Sequence, residues 1–248
     1  MNYKTRSNIT FFILLAILAI CAGANSFLPQ GNIASQVPQT QIPQWLIASV
    51  ASLGTLVIYG TLGFIGLVLW RKIGFPDIWD EQVTNKQRFL IPAIVGALIG
   101  VVLIVLDLVF SPINGVGQII HPPFPTSIVA SLSAGIGEEM LFRLFFISFW
   151  TWLIGKVILR GRGLSIVYWI VAIFSAIAHG SSHTPTAMIL FGVNSPDLLP
   201  PLLLAEIILM NGILSIFAAY YFKKFGLFAP IGIHFWADIV WHTIWGLF

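Results

Sequence analysis

Apolar residues gather into seven long runs, approximately 8–28, 45–70, 89–110, 127–153, 164–180, 201–222 and 227–248, with short polar connections between them. A helix needs about 20 apolar residues to cross about 30 Å of hydrocarbon. The pattern therefore predicts an all-α fold, a polytopic transmembrane helical bundle of about seven spans. The fifth run is short, and the fourth is long enough to tilt or protrude. The one sizeable polar connection, "RKIGFPDIWDEQVTNKQR" (71–88), contains Pro76, which blocks a continuous helix there. Within 181–200, "TAMILFG" (186–192) is too short to span and reads as a re-entrant or interfacial piece. There is no internal repeat, and no pair of interrupted helices such as an inverted-repeat transporter carries.

Composition sharpens this picture. Of 248 residues, 58% are apolar and 8% charged, against about 25% charged in a soluble domain. So few charges cannot cover a globule with polar surface. No basic run exceeds two residues, which argues against nucleic acid as a partner. The single cysteine, Cys21, excludes an intrachain disulfide framework. The opening "MNYKTRSNITFFILLAILAICAGANS" has the basic start, apolar core and small-residue end of a signal peptide. An uncleaved first span is the expectation, because a multi-span protein needs only a start-transfer helix there. Ile20, before Cys21, is too large for a lipoprotein site.

Charge then orients the spans. Lys4 and Arg6 precede the first; Arg71, Lys72, Lys86 and Arg88 lie between the second and third. Lys156, Arg160 and Arg162 lie between the fourth and fifth, and Lys223 and Lys224 between the sixth and seventh. The connections 29–44, 111–126 and 181–200 hold no Lys or Arg. By the positive-inside rule this alternation predicts seven crossings with a cytoplasmic N-terminus, in the plasma (inner) membrane if the source is bacterial.

Few ionisable residues remain inside the spans: Asp107, Glu138, Glu139, Arg143, Glu206 and Asp238, with His179, His234 and His242. Each costs about 2.5–3.5 kcal/mol at a helix centre on insertion scales, so each is a functional candidate. In "GEEMLFR" Glu139 and Arg143 are four apart, share a helix face and can pair. Glu138 lies about 100° away round the helix and is left as a candidate general base. Counting 1.5 Å per residue from the helix ends puts His179 of "FSAIAHG" at the depth of Glu138, within about a turn. In "HFWAD", His234 and Asp238 share a face. The imidazole can donate to an oxyanion or bind a metal, and Asp238 can hold the ring or position a water.

Other residues carry blander readings. His183 is at a chelating spacing from His179, but Gly180, Ser181 and Ser182 predict that the helix ends first. His121, beside Pro122 and Pro123, reads as a solvated loop residue, and Asp107 as reaching the interface. His242 either faces the same cavity or caps the last span. Glu206, with Asn211 nearby, is either an interhelical hydrogen bond or a cavity-lining group. Most tryptophans read as interfacial anchors, with Trp236 and Trp241, near "HFWAD", placed to contact a bound chain.

"EEMLFR" resembles the EExxxR motif of the CPBP family, intramembrane proteases that include type II CAAX prenyl endopeptidases and bacteriocin-processing or immunity proteins. "HFWAD" is similar to that family's HxxxN/D motif, and His179 fits its FxxxH. The resemblance covers roughly residues 125–245. It implies a single membrane domain over 1–248, with N-terminal spans 1–124 and a catalytic core 125–248. It also implies that Glu138 and His179 activate the attacking water, that His234 and Asp238 form the oxyanion side, and that Glu139 and Arg143 support the site. Two departures stand out. Ser175 occupies the phenylalanine position of FxxxH, with Phe174 one residue earlier, and the third motif ends in Asp. The expected activity is an intramembrane endopeptidase acting on a membrane-associated, hydrophobic or lipidated peptide. Two histidines and a glutamate could also hold a zinc ion with a water in the fourth position; no obligatory metal is the expectation. The alternative is a non-enzymatic immunity or scaffold protein, or a small proton-coupled transporter.

Overall fold

The computed structural model describes residues 2–31 and 41–248. The connection 29–44 therefore lies partly outside the described residues. All regular structure among them is helical. Helices α1 (Tyr3–Asn25), α2 (Gln44–Ile73), α3 (Lys86–Phe110) and α4 (Thr126–Ile158) each have the length and composition of a membrane span. So does Leu164–Leu190, built from α5 (Leu164–Ser182) and the short α6 (Thr184–Leu190), and so does α7 (Pro201–Phe225). The seventh expected span is α8 (Phe228–Asp238), prolonged by wider π-type turns over Ile239–Ile244. The chain is an integral, multi-pass membrane protein by this architecture. "TAMILFG" falls mostly within α6, a two-turn continuation of α5.

Local chemistry sets the helix ends. Asn2 caps α1 by accepting from the Thr5 N–H at 2.9 Å, which satisfies one of the free amides of the first turn. Helix α2 stops at Gly74, whose φ of 92° is the left-handed conformation that glycine adopts without strain. Lys223 and Lys224 occupy the last turn of α7, where cations complement the helix dipole. Within the 71–88 connection, the Arg71 guanidinium pairs with buried Asp77 at 2.7 Å and the Trp70 indole donates to the Pro76 carbonyl at 2.7 Å.

Glycines set how closely the helices pack. A side chain at Gly66 of α2 would run into the Leu144 carbonyl and come within 2.8 Å of the Phe145 Cα, both on α4. At Gly180 of α5 it would meet the Ile208 Cα of α7 at 2.9 Å. At Gly135 of α4 it would stand 3.2 Å from Phe235 of α8. With no hydrophobic force between helices in lipid, such close contact is what holds them together. The result brings α4, α5, α7 and α8 around one centre. Buried Phe11, Leu15 and Leu18 of α1 pack with Met140 of α4 in the main apolar core.

The Gly66→Val variant is expected to lose about 1–3 kcal/mol, the usual cost of overpacking. A thermal unfolding midpoint in detergent equal to wild type would contradict this contact.

Candidate active site

The fourth helix changes pitch at the site. It is α-helical over Thr126–Glu138 and widens to π-type turns over Glu139–Ile147, a distortion often found at functional positions. Two successive carboxylates thereby face different partners. Glu139 is fully buried and pairs with Arg143 at 3.0 Å, four residues on and equally buried. Glu138 sits at the wall of a cavity with its side chain 24% exposed.

The three expected helices do meet here. The Nε2 of His179 hydrogen-bonds the Glu138 carboxylate. Its Nδ1 lies 2.7 Å from the Ser215 hydroxyl, which accepts from Arg143 at 2.8 Å. A hydroxyl that accepts from a guanidinium still has its own proton to give. Ser215 therefore donates to Nδ1, and Nε2 carries the proton that His179 gives to Glu138. On α8, His234 donates from Nδ1 to Glu139 at 2.8 Å. Its Nε2 faces Glu138 at 3.8 Å and Asp238 at 3.6 Å. These distances are too long for direct hydrogen bonds, so Glu139 rather than Asp238 holds the ring.

Several residues stand elsewhere than the sequence suggested. Helix α5 ends at Ser182, before His183 as expected, yet His183 still stands at the site. Its Nε2 lies 3.8 Å from Glu138 and its ring 5.3 Å from that of His179. His121 is a loop residue only partly open to solvent: it meets His242 nitrogen to nitrogen at 3.0 Å and lies edge-on to Trp241 at 4.6 Å. Burial lowers its pKa to about 4. Asp107 is fully buried instead of reaching the interface, accepting from the Ile119 N–H at 3.0 Å. Glu206 lies beside it, also fully buried, and accepts from Asn114 at 2.7 Å. Asn211 instead donates to the Ile207 carbonyl on its own helix. His242 and Trp241 line the cavity, whereas Trp236 is exposed on the outer surface.

Three contributors were not read from the sequence. Ser215 links Arg143 to His179, but a lone serine in an apolar span gives no signal by itself. Phe142 packs its ring 4.9 Å from His179. Phe174 points away, 62% exposed, and the Ser175 hydroxyl bonds the Phe142 carbonyl at 3.2 Å. His183 was visible as a spacing, and only the helix boundary hid it.

The cavity holds about 250 Å³. Glu138, His183, His234, Asp238 and His242 form its polar part, and Leu103, Ile207, Met210 and Leu214 wall the remainder with apolar surface. Glu138, His179 and His183 offer ligand atoms that all lie within 4.8 Å of one another, the only such metal-sized cluster among the described residues.

A carboxylate ringed by imidazoles faces a cavity between membrane-spanning helices, the arrangement expected of a membrane-embedded hydrolase. Residues 120–240 match the family model described as type II CAAX prenyl endopeptidase Rce1-like. That match supports an intramembrane protease of the CPBP family, whose members are peptide hydrolases. Neither a curated protein nor a solved structure matches it.

Removing Arg143 should leave Glu139 as an uncompensated buried charge, a loss of about 3–5 kcal/mol. The Arg143→Ala variant is expected to unfold well below wild type in detergent. A double variant, Glu139→Gln with Arg143→Met, is expected to recover most of that loss. Equal midpoints for wild type and Arg143→Ala would contradict the pair.

Proposed function

We propose that this protein hydrolyses a peptide bond in a membrane-associated, hydrophobic or lipidated peptide, using a water activated by Glu138. One observation carries this reading: Glu138 is the cavity's partly exposed carboxylate, and the rings of His179, His183 and His234 all reach within 3.8 Å of it. A carboxylate so placed can take the proton of a water as the water oxygen attacks the carbonyl carbon. His179 orients Glu138. His234, fixed from behind by Glu139, acts as the protonated ring, whose Nε2–H donates where the carbonyl oxygen becomes an oxyanion. Asp238, 3.6 Å from that nitrogen, borders the same space. When the carbon–nitrogen bond breaks, the proton taken up by Glu138 returns to the departing amine, leaving an acid, an amine and the enzyme unchanged.

No step is routed through a metal. Both ring nitrogens of His179 are engaged, one by Glu138 and one by Ser215. An ion in the cluster of Glu138, His179 and His183 would displace the hydrogen bond that orients the base. The reading thus takes the cluster to hold water.

The chain acts as one membrane domain, residues 1–124 supporting a core of 125–248, with its N-terminus in the cytoplasm as the distribution of Lys and Arg favours. If the source is bacterial, the membrane is the plasma (inner) membrane.

Purified Glu138→Gln and His179→Ala variants are expected to fold and to lose peptidase activity by about 10²–10⁴-fold, the range for a general base. A fluorogenic peptide ending in a prenylated cysteine motif is the first substrate to test. Wild-type rates in both variants would end the assignment. Wild-type activity is expected to persist after dialysis against a strong chelator. Loss with recovery on adding zinc would replace the water mechanism by a metal one.

A further inference from the structure

Eleven of the twelve Lys and Arg lie at one end of the helices, and the twelfth, Arg143, is sealed against Glu139. From the cationic end the site is closed. Trp70, Tyr168 and Phe222 are almost completely buried there, with Trp70 and Phe222 stacked at 3.9 Å. The Tyr168 hydroxyl donates to the Ala219 carbonyl at 2.6 Å, and the Lys223 ammonium covers the Tyr168 ring at 4.9 Å.

The cavity leads the other way. Its walls beyond Glu138 include Ile119, Ile120 and Pro122 on the connection between α3 and α4, Phe191 just after α6, and Leu203 in the first turn of α7. All belong to the end of the bundle whose connections carry no Lys or Arg.

The geometry points to a substrate that reaches Glu138 from the non-cytoplasmic side of the membrane. With the cationic end in the cytoplasm, the scissile bond belongs to an apolar peptide segment already carried across the membrane or seated in its outer half. It does not belong to a protein presented from the cytoplasm. The apolar walls favour uncharged side chains beside the bond.

This inference rests on the hydrolase reading for what enters the cavity, but the direction of opening can be measured without catalysis. With Cys21→Ser as background, Thr186→Cys marks the exposed cavity wall and Lys156→Cys the cationic end. Each variant is treated with a membrane-impermeant maleimide in bacterial spheroplasts and in inverted inner-membrane vesicles. The expected result is the mass shift of one adduct on Thr186→Cys in spheroplasts and on Lys156→Cys in inverted vesicles. Labelling of both from one side, or the reverse pattern, overturns the proposal. In a second arm, an apolar fluorogenic peptide tethered to an impermeant polymer should be cut by spheroplasts with wild type and not with Glu138→Gln. Cleavage only in inverted vesicles overturns the proposed approach. Cleavage in neither, with the expected labelling, removes the hydrolase reading and its substrate while the opening direction stands.

Discussion

The structure turns on an ion pair that has no water to fall back on. Glu139 and Arg143 share one face of α4 in the bundle interior, and their mutual charge makes it tolerable to bury either. Their remaining polar atoms do further work. Arg143 holds Ser215, Ser215 holds His179, and His179 holds Glu138. Glu139 holds His234, whose far nitrogen faces back to Glu138 across 3.8 Å. The six side chains form a circuit that is closed except at this last gap, which borders the cavity. Four helices contribute to it, so the position of Glu138 depends on the packing of the whole core.

The glycines belong to the same account. Arg143 reaches Ser215, and His179 reaches both Ser215 and Glu138, only if α4, α5 and α7 lie close together. Gly180, against the Ile208 backbone, sits one residue from His179. A larger residue there would move α7 away from the imidazole. Helix packing and site geometry are in this sense one constraint.

Much of this was legible from residue order. Long apolar runs gave the helical membrane architecture, because hydrocarbon thickness acts on the chain locally. Glu139 and Arg143 could be paired from their spacing, and His179 matched in depth to Glu138 by counting along helices. Contacts that depend on how helices turn toward one another were not legible. Ser215 is one hydroxyl in an apolar span, with nothing local to mark it. His183 lies just past the end of α5, as its glycine and serines suggest, but the fold still leaves it 3.8 Å from Glu138. His121 and Asp107 looked like loop and interface residues because their neighbours in sequence are. Their partners, His242 at 3.0 Å and the Ile119 amide, come from the far end of the chain and from a folded-back connection.

The site is also asymmetric along the membrane normal, closed by stacked aromatics toward the cations and open toward the connections that lack them. The account as a whole depends on the open gap between Glu138 and His234. A crystallographic or electron-microscopic structure of the protein in lipid, at a resolution that shows solvent, tests it most directly. The account expects one water within hydrogen-bond reach of both the Glu138 carboxylate and His234 Nε2. Density showing the two side chains turned to separate partners, with no solvent shared between them, would contradict it.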